Sequence, residues 1–150
     1  MSHYIFVLNT IEFGDVRIDG NNIAENLLKN ELFRFSNSTH NKKIKNGDKV
    51  LLYIAGKGNR MFYGTFTIAG DIKENVVKEQ VELDKPFYDL FPFSREISDI
   101  KIFEKPIYMV EVKDKLPFIK DKKNWGLFIR HAITPISKED YDYILTHYKE

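Results

Sequence analysis

The sequence predicts an α+β domain: a curved, barrel-like, mainly antiparallel sheet of about six strands, flanked by short helices. Three observations predict it. Short β-rich runs dominate the chain, and two of them, Lys49 to Ala55 and Met61 to Ala69, flank Gly56-Lys57-Gly58-Asn59-Arg60 as the arms of a hairpin flank its turn. Helical spacing is confined to Asn21–Leu32 and to the last dozen residues. The regular βαβ alternation of a doubly wound parallel sheet is missing.

In chain order, HYIFVLN from His3 to Asn9 is an apolar, β-rich run that suits a buried strand. In NNIAENLLKNEL, Asn21 to Leu32, Ile23, Leu27 and Leu28 recur at helical spacing behind Asn residues able to cap, so a short amphipathic helix is expected there. The Lys49–Ala55 and Met61–Ala69 hairpin follows an Asn46-Gly47-Asp48 turn. Three further extended runs are expected at Asn75–Leu83, Arg95–Phe103 and Pro106–Val112. At the C-terminus, Ser137-Lys138-Glu139-Asp140 resembles a capping box with Asp in place of Glu. Tyr141, Ile144, Leu145 and Tyr148 then repeat at i, i+3, i+4 and i+7, predicting a helix that closes the core. No repeat or linker divides the chain, and its 150 residues fit one domain, 1–150.

Composition narrows the function classes. With no Cys, disulfides, thiolate zinc sites and cysteine nucleophiles are excluded. No basic leader opens the sequence and no segment approaches the roughly 20 apolar residues of a membrane span, so a soluble, cytoplasmic protein is expected. The net charge of +1, from 23 basic and 22 acidic residues, supplies no global attraction to polyanions. Any nucleic-acid contact must come from local basic clusters: Lys42, Lys43 and Lys45; Lys57 and Arg60; Lys120, Lys122 and Lys123. The four histidines, His3, His40, His131 and His147, lack metal-ligand spacing. Gly56-Lys57-Gly58 lacks the spacing and following helix of a phosphate loop. No catalytic residue, metal or cofactor is expected from these patterns; Lys57, Asp48 and Glu111 are only nominal titratable candidates should the protein act on a nucleotide.

Aromatic residues make up 14% of the chain, and several stand beside polar or basic ones. Phe33 and Phe35 alternate with Arg34 and Ser36, Phe62 and Tyr63 open a hairpin strand, Phe87, Tyr88, Phe91 and Phe93 crowd a Pro-containing segment, and Trp125 follows Lys122-Lys123-Asn124. Flat apolar rings beside hydrogen-bonding side chains are what a planar heterocycle requires.

The early strand ending in Asn9, the segment ELFRFSNSTHNKKIKNGDKVLLYIAGKG, the FPFSREI stretch and LPFIKDKKNWGLFIRHAITPISKEDYDYIL together resemble the EVE domain family, relatives of the YTH and ASCH domains within the PUA-like superfold. The resemblance covers nearly the whole chain. It implies a PUA-like pseudo-barrel whose pocket binds a nucleic-acid base, in several members a methylated cytosine or adenine. Carried over residue by residue, it implies a base pocket made of Asn9, Phe33, Phe35, Ser36, Asn37, Ser38, Thr39, Tyr53, Tyr63 and Trp125. Phe33 stands where relatives commonly have a tryptophan, a departure that reduces the stacking face. Lys42, Lys43, Lys57, Arg60, Lys122 and Lys123 would meet phosphates. The implied partner is DNA or RNA carrying a modified base. The alternatives are an enzyme acting on a modified base or nucleotide, and a small-molecule or protein-interaction module.

Overall fold

The computed structural model describes residues 2–13, 15–35, 42–56, 59–74, 91–112 and 133–149. Its elements are β1 (His3–Leu8), β2 (Ile11–Phe13), β3 (Val16–Ile18), α1 (Gly20–Lys29), β4 (Leu32–Phe35), β5 (Lys49–Ile54), β6 (Met61–Ile68), β7 (Lys73–Glu74), β8 (Phe93–Tyr108), α2 (Met109–Val112), β9 (Ile133–Ile136) and α3 (Lys138–Lys149). The architecture is the expected α+β half-barrel. Its main sheet runs β4-β8-β6-β5-β1-β9, with β7 beside β8 as the seventh strand, while β2 and β3 form a separate ribbon. Among the described residues every pairing is antiparallel except β1 with β5.

Several boundaries differ from the sequence expectation. The first helix ends at Lys29, three residues before Leu32, and its cap is Asp19, whose carboxylate accepts from the Asn21 N–H at 2.9 Å. Glu31 then takes a left-handed φ of 55°, which breaks the helix and returns the chain as β4. The runs Arg95–Phe103 and Pro106–Val112 are not two strands: β8 continues for 16 residues through Pro106, and the chain turns helical at Met109. The run Asn75–Leu83 lies outside the described residues. At the C-terminus the Ser137 hydroxyl accepts from the Asp140 N–H at 3.1 Å, half of the expected box.

The length of β8 curls the sheet. Its first four residues pair with β4, and from Ile97 onward it pairs with β6. Between Ser98 and Lys101 the β8 strand carries one residue more than β6, and Asp99 within that stretch has φ 50°, the mark of a bulge that adds twist. The two backbones approach so closely there that a Cβ on Gly64 would collide with the Lys101 carbonyl oxygen, which requires glycine. Three strands separate β1 from β4 in the sheet, yet Phe6 of β1 meets Phe33 and Phe35 of β4 with ring centroids 5.2 and 5.5 Å apart.

Alternation along the central strands divides the interior into two cores. Phe6 and Leu8 of β1 and Val50, Leu52 and Ile54 of β5 face α1 and β4, joining Ile23, Leu27, Phe33, Phe35 and Phe66. Ile5, Val7, Leu51 and Tyr53 face the other way and pack with Phe62, Met109, Tyr141 and Ile144 under α2 and α3. Each fully buried Leu, Ile or Phe contributes roughly 1.5–3 kcal/mol. A buried arginine, Arg95, clamps the start of β8: its Nε donates to the Gly70 carbonyl at 2.8 Å, Nη1 to the Ile44 carbonyl at 2.6 Å and Nη2 to Asn46 Oδ1 at 3.1 Å.

Candidate functional site

The first core carries the chemistry. Phe6, Phe33, Phe35 and Phe66 form a continuous aromatic cluster, with Phe33 to Phe35 at 5.2 Å and Phe33 to Phe66 at 5.4 Å. All four rings are at most 6% exposed, so a base can stack on one of them only by displacing a neighbour. Rings with open surface surround them: Tyr4, Tyr63, Phe91 and Phe93 are half-buried against the cluster. In register, Phe35 faces Phe93 and Phe33 faces Arg95, so these side chains share the inner face of the curl.

The expected site residues are distributed unevenly over this frame. Phe33 and Phe35 are together in the cluster. Tyr63 reaches its margin by ordinary strand alternation, two residues after the inward-facing Met61, and the register shifts beyond it let Phe66, three residues on, face the same side. Burial, and then the Glu25 carboxylate on α1, push the Tyr63 hydroxyl above its ordinary range. Tyr53 belongs to the second core, on the opposite face of the sheet. It is fully buried, packs edge-on against Phe62 at 5.2 Å, and its hydroxyl has no hydrogen-bond partner; burial raises its pKa strongly. Asn9 is exposed at the C-terminal end of β1. That end of the sheet also holds Thr10, whose hydroxyl accepts from the Gly20 N–H at 3.2 Å, and an Asn21 amide that donates to Asn59 Oδ1 at 2.7 Å. Ser36, Asn37, Ser38, Thr39 and Trp125 lie outside the described residues, as do the phosphate-contact candidates Lys57, Lys122 and Lys123.

The remaining basic candidates are exposed and stand apart. Arg60 precedes β6, whereas Lys42 and Lys43 lead into the turn packed at its far end, where the Gly47 N–H donates to the Ile68 carbonyl at 2.8 Å. Arg60 and the Gly47 turn thus stand at opposite ends of β6, whose seven residue steps span roughly 23 Å.

Of the nominal titratable groups, Asp48 serves the fold. Its two carboxylate oxygens accept from the Ser2 N–H at 2.9 Å and the Lys45 N–H at 2.8 Å, fixing the turn before β5. Glu111 is exposed on α2, and Lys57 is outside the described residues. Among the described residues no three His, Asp or Glu side chains gather as metal ligands, and no helix is long and apolar enough to cross a membrane.

Sequence reasoning missed Tyr4 and the two buried arginines. Tyr4 could have been found from the alternation of β1, which puts it on the face of Phe6. Arg34 and Arg95 carried no such signal, because an arginine, whether between two rings like Arg34 or between Ser94 and Glu96 like Arg95, reads as exposed. Arg34 is 3% exposed and donates from Nε to the Phe91 carbonyl at 2.9 Å. Burial pulls the Arg95 guanidinium below its ordinary range, with Asp71 and Asp48 opposing the shift.

The sequence profile of the EVE domain matches residues 28–147. The chain belongs to the EVE domain family. A UPF0310 protein from the gntR 5' region of Bacillus licheniformis is 29% identical over 135 residues, covering 85% of this chain and 88% of that protein. Human THYN1, solved in complex with 5-methylcytosine containing DNA, superposes with a TM-score of 0.68 at 16% identity, covering 100% of this chain and 99% of that one. The N-terminal domain of Staphylothermus marinus McrB superposes with a TM-score of 0.59 at 12% identity, over 96% and 93% of the two chains. At these identities the structural matches establish a shared fold for this EVE domain.

Proposed function

We propose that this EVE domain is a nucleic-acid-binding module that holds one flipped, methylated base of DNA or RNA against the margin of its aromatic cluster. The observation that carries the reading is the curl of β4 and β8 over β1. It gathers Phe6, Phe33, Phe35 and Phe66 into a floor, rims them with half-buried rings, and ends β4 at Phe35, directly before the polar run Ser36 to Thr39. Rings supply stacking; Ser36, Asn37, Ser38 and Thr39 supply donors and acceptors for the Watson–Crick edge. The methylated DNA bound to human THYN1, a protein of the same fold, supports the choice of ligand.

The energetics set what such a site can do. Extruding a base costs a few kcal/mol, and stacking returns about 1–3 kcal/mol per base, with hydrogen bonds to the base edge adding to it. A buried methyl adds about 0.8 kcal/mol, so methylated and unmethylated bases should differ by roughly fourfold. Lys42 and Lys43 toward one end of β6 and Arg60 at the other would meet different phosphates of the backbone.

The test is a fluorescence-anisotropy titration of duplex DNA carrying one 5-methylcytosine or one N6-methyladenine, with unmodified and RNA counterparts, against wild type and Trp125→Ala. Binding with a preference for a methylated strand, weakened in the variant, is the expected result. Equal and negligible binding of every oligonucleotide would overturn the reading.

A further inference from the structure

The base-holding reading leaves open which ring takes the stack, and Phe33, the position that family resemblance points to, has no free face. Its exposure is 4%, and Phe6, Phe35 and Phe66 surround it at 5.2 to 5.4 Å. A stacking residue needs open surface on one side and a fixed backbone on the other, since each degree of freedom frozen on binding weakens it. Among the half-buried rings of the cluster margin, Phe93 meets both conditions.

Its backbone is held from two sides. Phe93 pairs with Phe35 of β4 on one edge of β8 and with Glu74 of β7 on the other. Two residues before it, the Phe91 carbonyl accepts from the buried Arg34. Two residues after it, Arg95 reaches three acceptors in the Ile44–Asn46 turn and at Gly70. Register places Phe93 on the inner face beside Phe35, the last residue of β4, so among the described residues it is the half-buried ring next to the point where the chain enters the polar run Ser36 to Thr39. Tyr4 sits on β1 and Tyr63 on β6, neither paired with β4. Phe91 precedes the strand, and it is Phe93 that stands opposite Phe35.

We propose that Phe93 provides the ring face on which the base stacks, and that Arg34 and Arg95 are positioning residues that hold its strand. This rests on the base-holding reading of the same site. The experiment compares Phe93→Ala, Phe93→Trp and wild type for binding of a duplex carrying one 5-methylcytosine and of its unmethylated counterpart, across a salt series, with thermal melts of each protein. Phe93→Ala should weaken binding by roughly 5- to 150-fold, the loss of one stack. Its slope of log affinity against log salt should stay that of wild type, because every phosphate-binding side chain is kept. Phe93→Trp should restore or tighten binding. Wild-type binding that Phe93→Ala leaves unchanged overturns the assignment of Phe93 while the base-holding reading stands. Loss of binding that Phe93→Trp fails to restore, or that comes with a changed salt slope, also overturns it. No binding by wild type overturns both.

Discussion

Replacing Tyr53 by phenylalanine removes a single oxygen from a ring with no solvent exposure whose hydroxyl has no hydrogen-bond partner. A buried, unpaired hydroxyl costs the folded state about 1–3 kcal/mol of desolvation, and its removal leaves almost no void. Residual burial in the denatured chain trims the gain, so Tyr53→Phe should stabilise the protein by about 1–2 kcal/mol, a rise in Tm of roughly 2–8 °C for a chain of this size. Urea unfolding should show a higher midpoint at unchanged slope. Because Tyr53 packs under α2 and α3, on the face opposite Phe33 and Phe35, oligonucleotide affinity should stay within about twofold of wild type. A loss of 1 kcal/mol or more would mean that the hydroxyl is satisfied, for instance by a buried water, and would refute this account of the second core. A large loss of affinity without a loss of stability would put Tyr53 back in the base pocket.

Burial lowers the pKa of His3, opposed first by Asp142, and its ring lies 4.8 Å from Tyr141 of α3. The unfolded chain therefore takes up this proton first as pH falls through 6.5, so stability should drop from there until the folded-state pKa is passed; His3→Gln should flatten that part of the urea-midpoint profile, and an unchanged profile would remove His3 from the account. Replacing Lys42 and Lys43 together by alanine should lower the salt dependence of oligonucleotide binding by up to about 0.7–0.9 for each phosphate no longer neutralised, measured as the slope of log affinity against log salt; an unaltered slope would place the phosphates elsewhere. Gly64→Ala sets a Cβ against the Lys101 carbonyl and should cost about 1–3 kcal/mol in a thermal melt, whereas a neutral result would deny the close approach of β6 and β8.

The parts of the fold readable in the sequence are those set by local chemistry. The hairpin of β5 and β6 follows from two apolar runs around a glycine-containing turn, and the start of α3 follows from Ser137. The parts that were not readable depend on partners distant in the chain. No strand is expected from the sequence at Phe33-Arg34-Phe35, because Arg34 suggests an outward face, but Arg34 is buried on the Phe91 carbonyl and the segment is a strand. Glu104 and Lys105 read as a break between two runs, yet pairing with β6 resumes beyond them at Ile107, so β8 is continuous. The same limit applied to the site. Residue types pointed to rings and polar groups, while the separation of Tyr53 from Phe33 by the sheet, and the burial of Phe33, depend on strand alternation and on the curl that brings β4 over β1.

Whether a base leaves its stack to lie against the aromatic margin can be read from a duplex in which 2-aminopurine sits beside a single 5-methylcytosine. Extrusion of the methylated base strips the probe of its stacking neighbour. Saturating protein should raise the 2-aminopurine fluorescence, and Phe93→Ala should shift that rise to higher protein concentration. Binding that leaves the fluorescence at the level of the free duplex would contradict extrusion of the base.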